Sequence, residues 1–143
     1  MGIIFISKIK QGISYITCKY DIKYDKEVKK ILSDIEYEIF SEMSNYDKWH
    51  SYTLFKKIEK NELLSNNNLY LKLALLHDCG KGNASLFRRI KKTLIGDKIL
   101  ERHPLNAYEK LKSYNLELAH LCLIHHNLNV DNFMKEFQKL DDE

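Results

Sequence analysis

The sequence predicts an all-α fold, and three observations predict it. Apolar residues recur at spacings of three and four along most of the chain, as in Val28, Ile31, Leu32, Ile35, Ile39 and Met43, which places them on one stripe of a helix. The alternating period of a strand shows only faintly, between Ile13 and Ile22. Side chains suited to capping helices stand ahead of the periodic runs: Asp25, Asp47, Asn68 and its neighbours, Asn115 and Asp131.

Taken in order, Asp25 caps a first helix that carries the stripe from Val28 to Met43. A second runs from Asp47 to about Glu59, with His50, Leu54 and Ile58 on its inward line. After the polar string Ser65-Asn66-Asn67-Asn68 come Leu69, Leu71, Leu73, Ala74, Leu75 and Leu76. That segment is apolar nearly all round, as a central buried helix is. It ends at Gly80 or Gly82, where glycine supplies the positive φ of a C-cap. Residues 83 to 102 are basic and less periodic. Pro104 opens another helix, and Asn115 caps the next, which carries Leu118, Ala119, Leu121, Cys122 and Ile124 and stops near His126. A polar turn from Asn127 to Asn129 leads to the last helix, from Asp131.

Composition narrows the function classes. A chain of 143 residues, 44% hydrophobic and 30% charged, is one ordinary globular domain. Five glycines and one proline beside nine tyrosines and six phenylalanines exclude collagen-like and low-complexity readings. The net charge of +3 is too slight to argue for nucleic acid, and no duplex partner is expected. Cys18, Cys79 and Cys122 are odd in number and far apart, which suits reduced thiols. The longest apolar run near the start, Ile3 to Ile6, falls short of an export signal or of the roughly 18 residues of a membrane span. Gly2 lacks the Ser or Thr that myristoylation wants at position six, where Ile6 stands. The expectation is a cytoplasmic protein without a membrane partner.

The chemistry collects on histidine and aspartate. Six histidines fall at 50, 77, 103, 120, 125 and 126. His77 and Asp78 adjoin on the most apolar helix, within Leu75-Leu76-His77-Asp78-Cys79-Gly80-Lys81. An ionised Asp buried there needs a partner. A divalent metal ion supplies one, since imidazole and carboxylate are ordinary ligands for it. His50 lies on its helix's inward line, a place where a lone His is usually a satisfied core residue; the pair downstream tips it toward a ligand. Met134, Phe137 and Asp141 share a line on the last helix, while Asp142 points about 100° away. A solvated C-terminus is the plain alternative for Asp141, and Asp131 and Asp142 stand as substitutes. Lys81 has two open readings, a contact to a phosphate or a lysine facing a helix dipole. Arg88, Arg89, Lys91 and Lys92 form either a solvated face or a receptor for phosphates. Trp49 and Tyr108 can stack on a base but read as packing, and His120 reads as structural.

His50, then His77-Asp78, then a distant Asp resembles the H…HD…D signature of the HD-domain superfamily of metal-dependent phosphohydrolases. The segment His77 to Lys81 resembles its HDIG variant, with Cys79 where Ile is usual. His103-Pro104 and His125-His126 extend the resemblance toward HD-GYP and membrane-linked HD phosphodiesterases, whose added histidines complete a two-metal site. Two departures stand out: no GYP triad follows His126, and Asn127 stands where those relatives have Glu. The last Asp comes 15 residues after His126, closer than in them. The resemblance covers residues 45 to 143 and implies a compact helical HD-domain bundle, preceded by a short N-terminal helical extension over 1 to 44, in a single domain of 1 to 143. It implies hydrolysis of a phosphate ester, of a nucleotide or cyclic dinucleotide, by a hydroxide held on metal. One ion would be held by His50, His77, Asp78 and Asp141, a second by His103 and His125 with Asp78 bridging. His126 would be a ligand, an outer partner or the acid for the leaving alkoxide, and Lys81 a phosphate contact. Fe, Mn, Co, Ni or Zn, as one or two ions, suits these nitrogen-rich donors better than Mg. The alternative is a degenerate HD domain that binds a nucleotide or a partner protein without turnover.

Overall fold

The computed structural model describes residues 20–81 and 103–142, and within them every regular element is a helix. A 3-10 turn, Ile22–Tyr24, leads into α1 (Asp25–Ile31), α2 (Asp34–Ser41), α3 (Asn45–Glu59) and α4 (Asn68–Leu76). A second 3-10 turn, Cys79–Lys81, follows α4. The order closes with α5 (His103–Leu111), α6 (Leu116–Ile124) and α7 (Asn132–Asp141). Cys18, Gly82, the basic cluster from Arg88 to Lys92 and most of the faint strand period before Ile22 lie outside the described residues.

The first apolar stripe belongs to two helices rather than one. Leu32 is extended, with φ −91° and ψ 146°, and Ser33 begins a new helix. Its hydroxyl accepts from the Glu36 N–H at 3.2 Å while the Glu36 carboxylate accepts from the Ser33 N–H at 2.8 Å. This reciprocal cap satisfies two helix-end donors at once and outcompetes continuation of α1. Asp25 does not N-cap α1, a position that Tyr24 takes. It is the first residue of α1 and accepts the hydroxyls of Tyr20 at 2.8 Å and Tyr37 at 2.7 Å, which folds α2 back on α1. Ile35 turns outward, 43% exposed.

Glu36 is buried and ties three parts of the bundle together. Besides Ser33 it accepts from Lys72 of α4 at 2.8 Å and from Asn115, ahead of α6, at 3.1 Å. Burial opposes its ionisation, but these donors outweigh burial and hold its pKa below the usual carboxylate range.

Ser44, not Asp47, caps α3: the Asp47 N–H donates to the Ser44 hydroxyl at 3.2 Å, and Asp47 sits buried three residues in. Asn67 caps α4 by accepting from Leu69 and Tyr70. Leu73, Ala74, Leu75 and Leu76 are wholly buried, so α4 is the central helix that its all-round apolarity predicts. α3 runs along α4, α5 along α6, and α4 also touches α1, α2 and α6. α7 packs on α3, which brings the chain end back to the middle of the bundle.

Gly80 plays a different part from the expected C-cap. α4 ends earlier, with His77 in right-handed helical geometry, and Gly80 lies in the 3-10 turn. A Cβ placed on it would collide with the His103 carbonyl oxygen, stand 2.6 Å from the Ala107 nitrogen and 2.9 Å from the Asn106 Cβ. Glycine is needed here so that the start of α5 can lie directly on the turn. Asn106 then donates to the Gly80 carbonyl at 3.2 Å and Lys110 to the Cys79 carbonyl at 2.9 Å. These donors serve carbonyls that the end of α4 leaves without helical partners.

Candidate metal centre

Helix ends supply nearly all of the chemistry. His77 is the C-cap of α4 and Asp78 follows it; His103 is the first residue of α5; His125 is the C-cap of α6, with His126 next; Asp141 is the last residue of α7. His50 alone comes from the middle of a helix, α3, one turn before the buried Leu54.

Two groups form. In the first, Asp141 Oδ1 stands 3.2 Å from His50 Nε2 and 3.4 Å from His77 Nε2. In the second, His103 Nε2 stands 3.3 Å from both His125 Nε2 and His126 Nε2. Asp78 lies between them. Its Oδ2 faces the first group, 3.2 Å from His77 and 3.8 Å from His50, and its Oδ1 faces His103 at 3.2 Å.

Hydrogen bonds on the far ring nitrogens fix how two of these imidazoles present themselves. His77 Nδ1 donates to the Ala74 carbonyl at 2.9 Å, and His125 Nδ1 makes a short bond to the Cys122 carbonyl. With Nδ1 bonded to a carbonyl, each Nε2 points into the centre: at His125 it carries a bare lone pair, and at His77 it carries the proton that the two carboxylates hold there and that an incoming cation would displace. The buried His77 Nε2 makes no directed hydrogen bond, although two carboxylate oxygens stand within 3.4 Å. Imidazole nitrogens and carboxylate oxygens thus converge on two points, an arrangement that suits a cation at each. Donors about 2.0–2.1 Å from one ion lie roughly 2.8–3.0 Å from their neighbours in octahedral geometry and roughly 3.3–3.4 Å apart in tetrahedral geometry. The observed separations fall in or near these ranges, so the residues fit a metal.

Electrostatics agree. Burial disfavours a charged His77, yet the carboxylates of Asp78 and Asp141 outweigh it and raise its pKa well above the usual value. Burial likewise opposes ionised Asp78 and Asp141, but the neighbouring His77 holds both below the ordinary range, helped by Lys81 at Asp78 and His50 at Asp141. In the second group, burial and the nearby imidazoles of His77 and His126 push His125 down to about 3. Burial and His103 lower His126. The first group holds two ionised carboxylates, which attract a cation able to displace the His77 proton, and His125 and His126 of the second are neutral imidazoles ready to donate.

The structure brings together His50, His77, Asp78, His103, His125, His126 and Asp141, and sets the Lys81 ammonium 3.3 Å from Asp78 Oδ2. It leaves the other candidates elsewhere. Asp131 caps α7 by accepting from the Met134 N–H at 2.9 Å, and Asp142 is exposed just past the helix. Trp49 packs with Tyr24 and Tyr52. His120 is exposed, with its ring edge-on to Tyr108. Sequence reasoning missed Tyr46, whose ring lies parallel to that of His50 with centroids 6.2 Å apart. The signal was present, because residues four apart on a helix are neighbours.

Asp141→Ala is expected to lower metal retention after dialysis by an order of magnitude or more, while Asp142→Ala leaves it unchanged; elemental analysis of the two variants decides between the neighbours. The profile of one protein family, described as HD domain, matches residues 49–141, a span that contains all seven residues. No curated protein and no solved structure matches the chain.

Proposed function

The chain belongs to the HD-domain family, a family of metal-dependent phosphohydrolases, and from that premise we propose that it hydrolyses a phosphate ester of a nucleotide at a centre for two divalent ions. The observation that carries this reading is Asp78, whose two oxygens face two separate groups of ligands. His50, His77, Asp78 and Asp141 would hold one ion; His103, His125 and His126, with the other oxygen of Asp78, would hold the second. When bound, such ions draw charge from a phosphoryl oxygen and lower the pKa of water at the site. Nitrogen donors on both sides favour Fe, Mn, Co, Ni or Zn over Mg.

The chain's own residues complete the reading. Lys81 places its ammonium beside Asp78, where an incoming phosphate oxygen can share its charge. The lowered pKa of His126 leaves its ring neutral at neutral pH, which favours donation of a lone pair over protonation of a leaving alkoxide. Asp141, 3.2 Å from His50, supports turnover against one of the two sequence arguments for a domain without it, the short spacing to the last Asp; the other is Asn127 in place of Glu.

Reloading the purified protein with Mn, Co or Zn and assaying bis-p-nitrophenyl phosphate and nucleotides tests the proposal. About two ions per chain with turnover supports it. Ions without turnover would leave a binding domain, and no ions at all would leave a helical scaffold. His103→Ala is expected to reduce the metal content from about two per chain to about one, because His103 belongs to the second group only. A variant that lost both ions together would contradict the division into two groups.

A further inference from the structure

We infer that Gln138 is a positioning residue: its side-chain amide sets the His125–His126 turn against α7 and so builds the second imidazole group. Past the end of α6 the chain leaves carbonyls that no helical N–H can reach. Gln138 Nε2 donates to two of them, the His125 carbonyl at 3.0 Å and the Asn127 carbonyl at 2.7 Å. Both hydrogens of one amide are thereby used on one turn. Gln138 also lies three residues before Asp141, on the same side of α7. A single side chain therefore links the helix that carries an acid of the first group to the turn that carries two imidazoles of the second.

Packing holds the start of the turn, where His125 is buried against the rings of His77 and His103, but not its tip. Residues 126 to 129 are exposed, Leu128 to 92%. A cavity of about 170 Å³, lined by His126, Leu128, Asp141 and Asp142 among others, separates the turn from the end of α7. Across that cleft the two hydrogen bonds of the amide are a direct tether between the exposed tip of the turn and α7. The chemistry also asks for an amide: a carboxylate at this position would face two carbonyl oxygens with no hydrogen to give.

The inference rests on the reading that the two groups hold ions, and titration with Co(II) separates the two claims. Full-length wild type, Gln138→Ala and Gln138→Glu are titrated and followed by the visible cobalt spectrum, with circular dichroism confirming the fold. Both variants are expected to bind the first ion as wild type does and the second about 10–100-fold more weakly, the usual range for loss of an outer partner of a ligand. Glutamate keeps the shape of glutamine and adds a negative charge, which by itself would tighten a cation; weaker binding in that variant therefore isolates the lost donors. Wild-type affinity for the second ion in Gln138→Glu would overturn the inference, as would equal weakening at both groups. If wild type takes up no cobalt, the ion reading fails and the inference falls with it.

Discussion

Asp78→Ala should leave a folded protein that holds neither ion and has lost about 10²–10⁴-fold in turnover, the equivalent of several kcal/mol of charge stabilisation by metal. The breadth of the effect follows from position. Every other candidate ligand faces one group, whereas Asp78 Oδ2 lies 3.2 Å from His77 and Oδ1 3.2 Å from His103. Removing one partner of a buried charge pair commonly costs about 3–5 kcal/mol, because the other charge is stranded. Here the stranded groups have exits. His77 is held protonated by Asp78 and Asp141, so loss of one acid lets the ring discard its proton. The Lys81 side chain is 18% exposed and can turn to solvent. The fold should therefore survive while the centre does not. Elemental analysis and hydrolysis of bis-p-nitrophenyl phosphate after metal reloading read the result, and a variant with its full metal complement and undiminished rate would remove Asp78 from the bridging role.

How much of this was legible in the sequence depends on how local each cause is. The periodicity of α3 and α7 points His50 and Asp141 inward, because on a helix spacing translates directly into direction. The adjacency of His77 and Asp78 at the end of the most apolar helix is equally local. The meeting of His103 with His125 is not, since it depends on how α5 packs along α6, and only resemblance to a family anticipated it. The break between α1 and α2 was written in Ser33 and Glu36, a capping box. An unbroken run of apolar spacings concealed it, since periodicity reports the face and not the continuity of a helix. Glu36 carried a second, illegible part: its partners Lys72 and Asn115 are 36 and 79 residues away, and no local pattern announces them. Gln138 is hidden in the same way, as an ordinary polar residue on a helix whose importance lies in the turn it faces.

Gly80→Ala should reproduce the loss of the second ion without touching a ligand. Sequence alone assigned this glycine to its own backbone conformation; in the structure its value is the absence of a side chain against a distant helix. The atoms that an added Cβ would meet include the His103 carbonyl oxygen and the Ala107 nitrogen, both backbone atoms of α5. Backbone cannot swing aside as the tip of a side chain can, so α5 must back away from the turn. His103 is the first residue of that helix, and its Nε2 must stay within reach of Asp78 Oδ1, His125 and His126. Retreat would also stretch the bonds from Asn106 and Lys110 to the Gly80 and Cys79 carbonyls. Overpacking of this kind costs about 1–3 kcal/mol, a fall of roughly 3–10 °C in Tm for a chain of this size. The first group, built from α3, α4 and α7, does not depend on α5 and should keep its ion. The expected signature is about one ion per chain, a lowered Tm and little turnover. A Gly80→Ala protein with two ions and unchanged melting would show that the turn can yield without moving α5, and the close approach would lose its claim to be what holds the second group together.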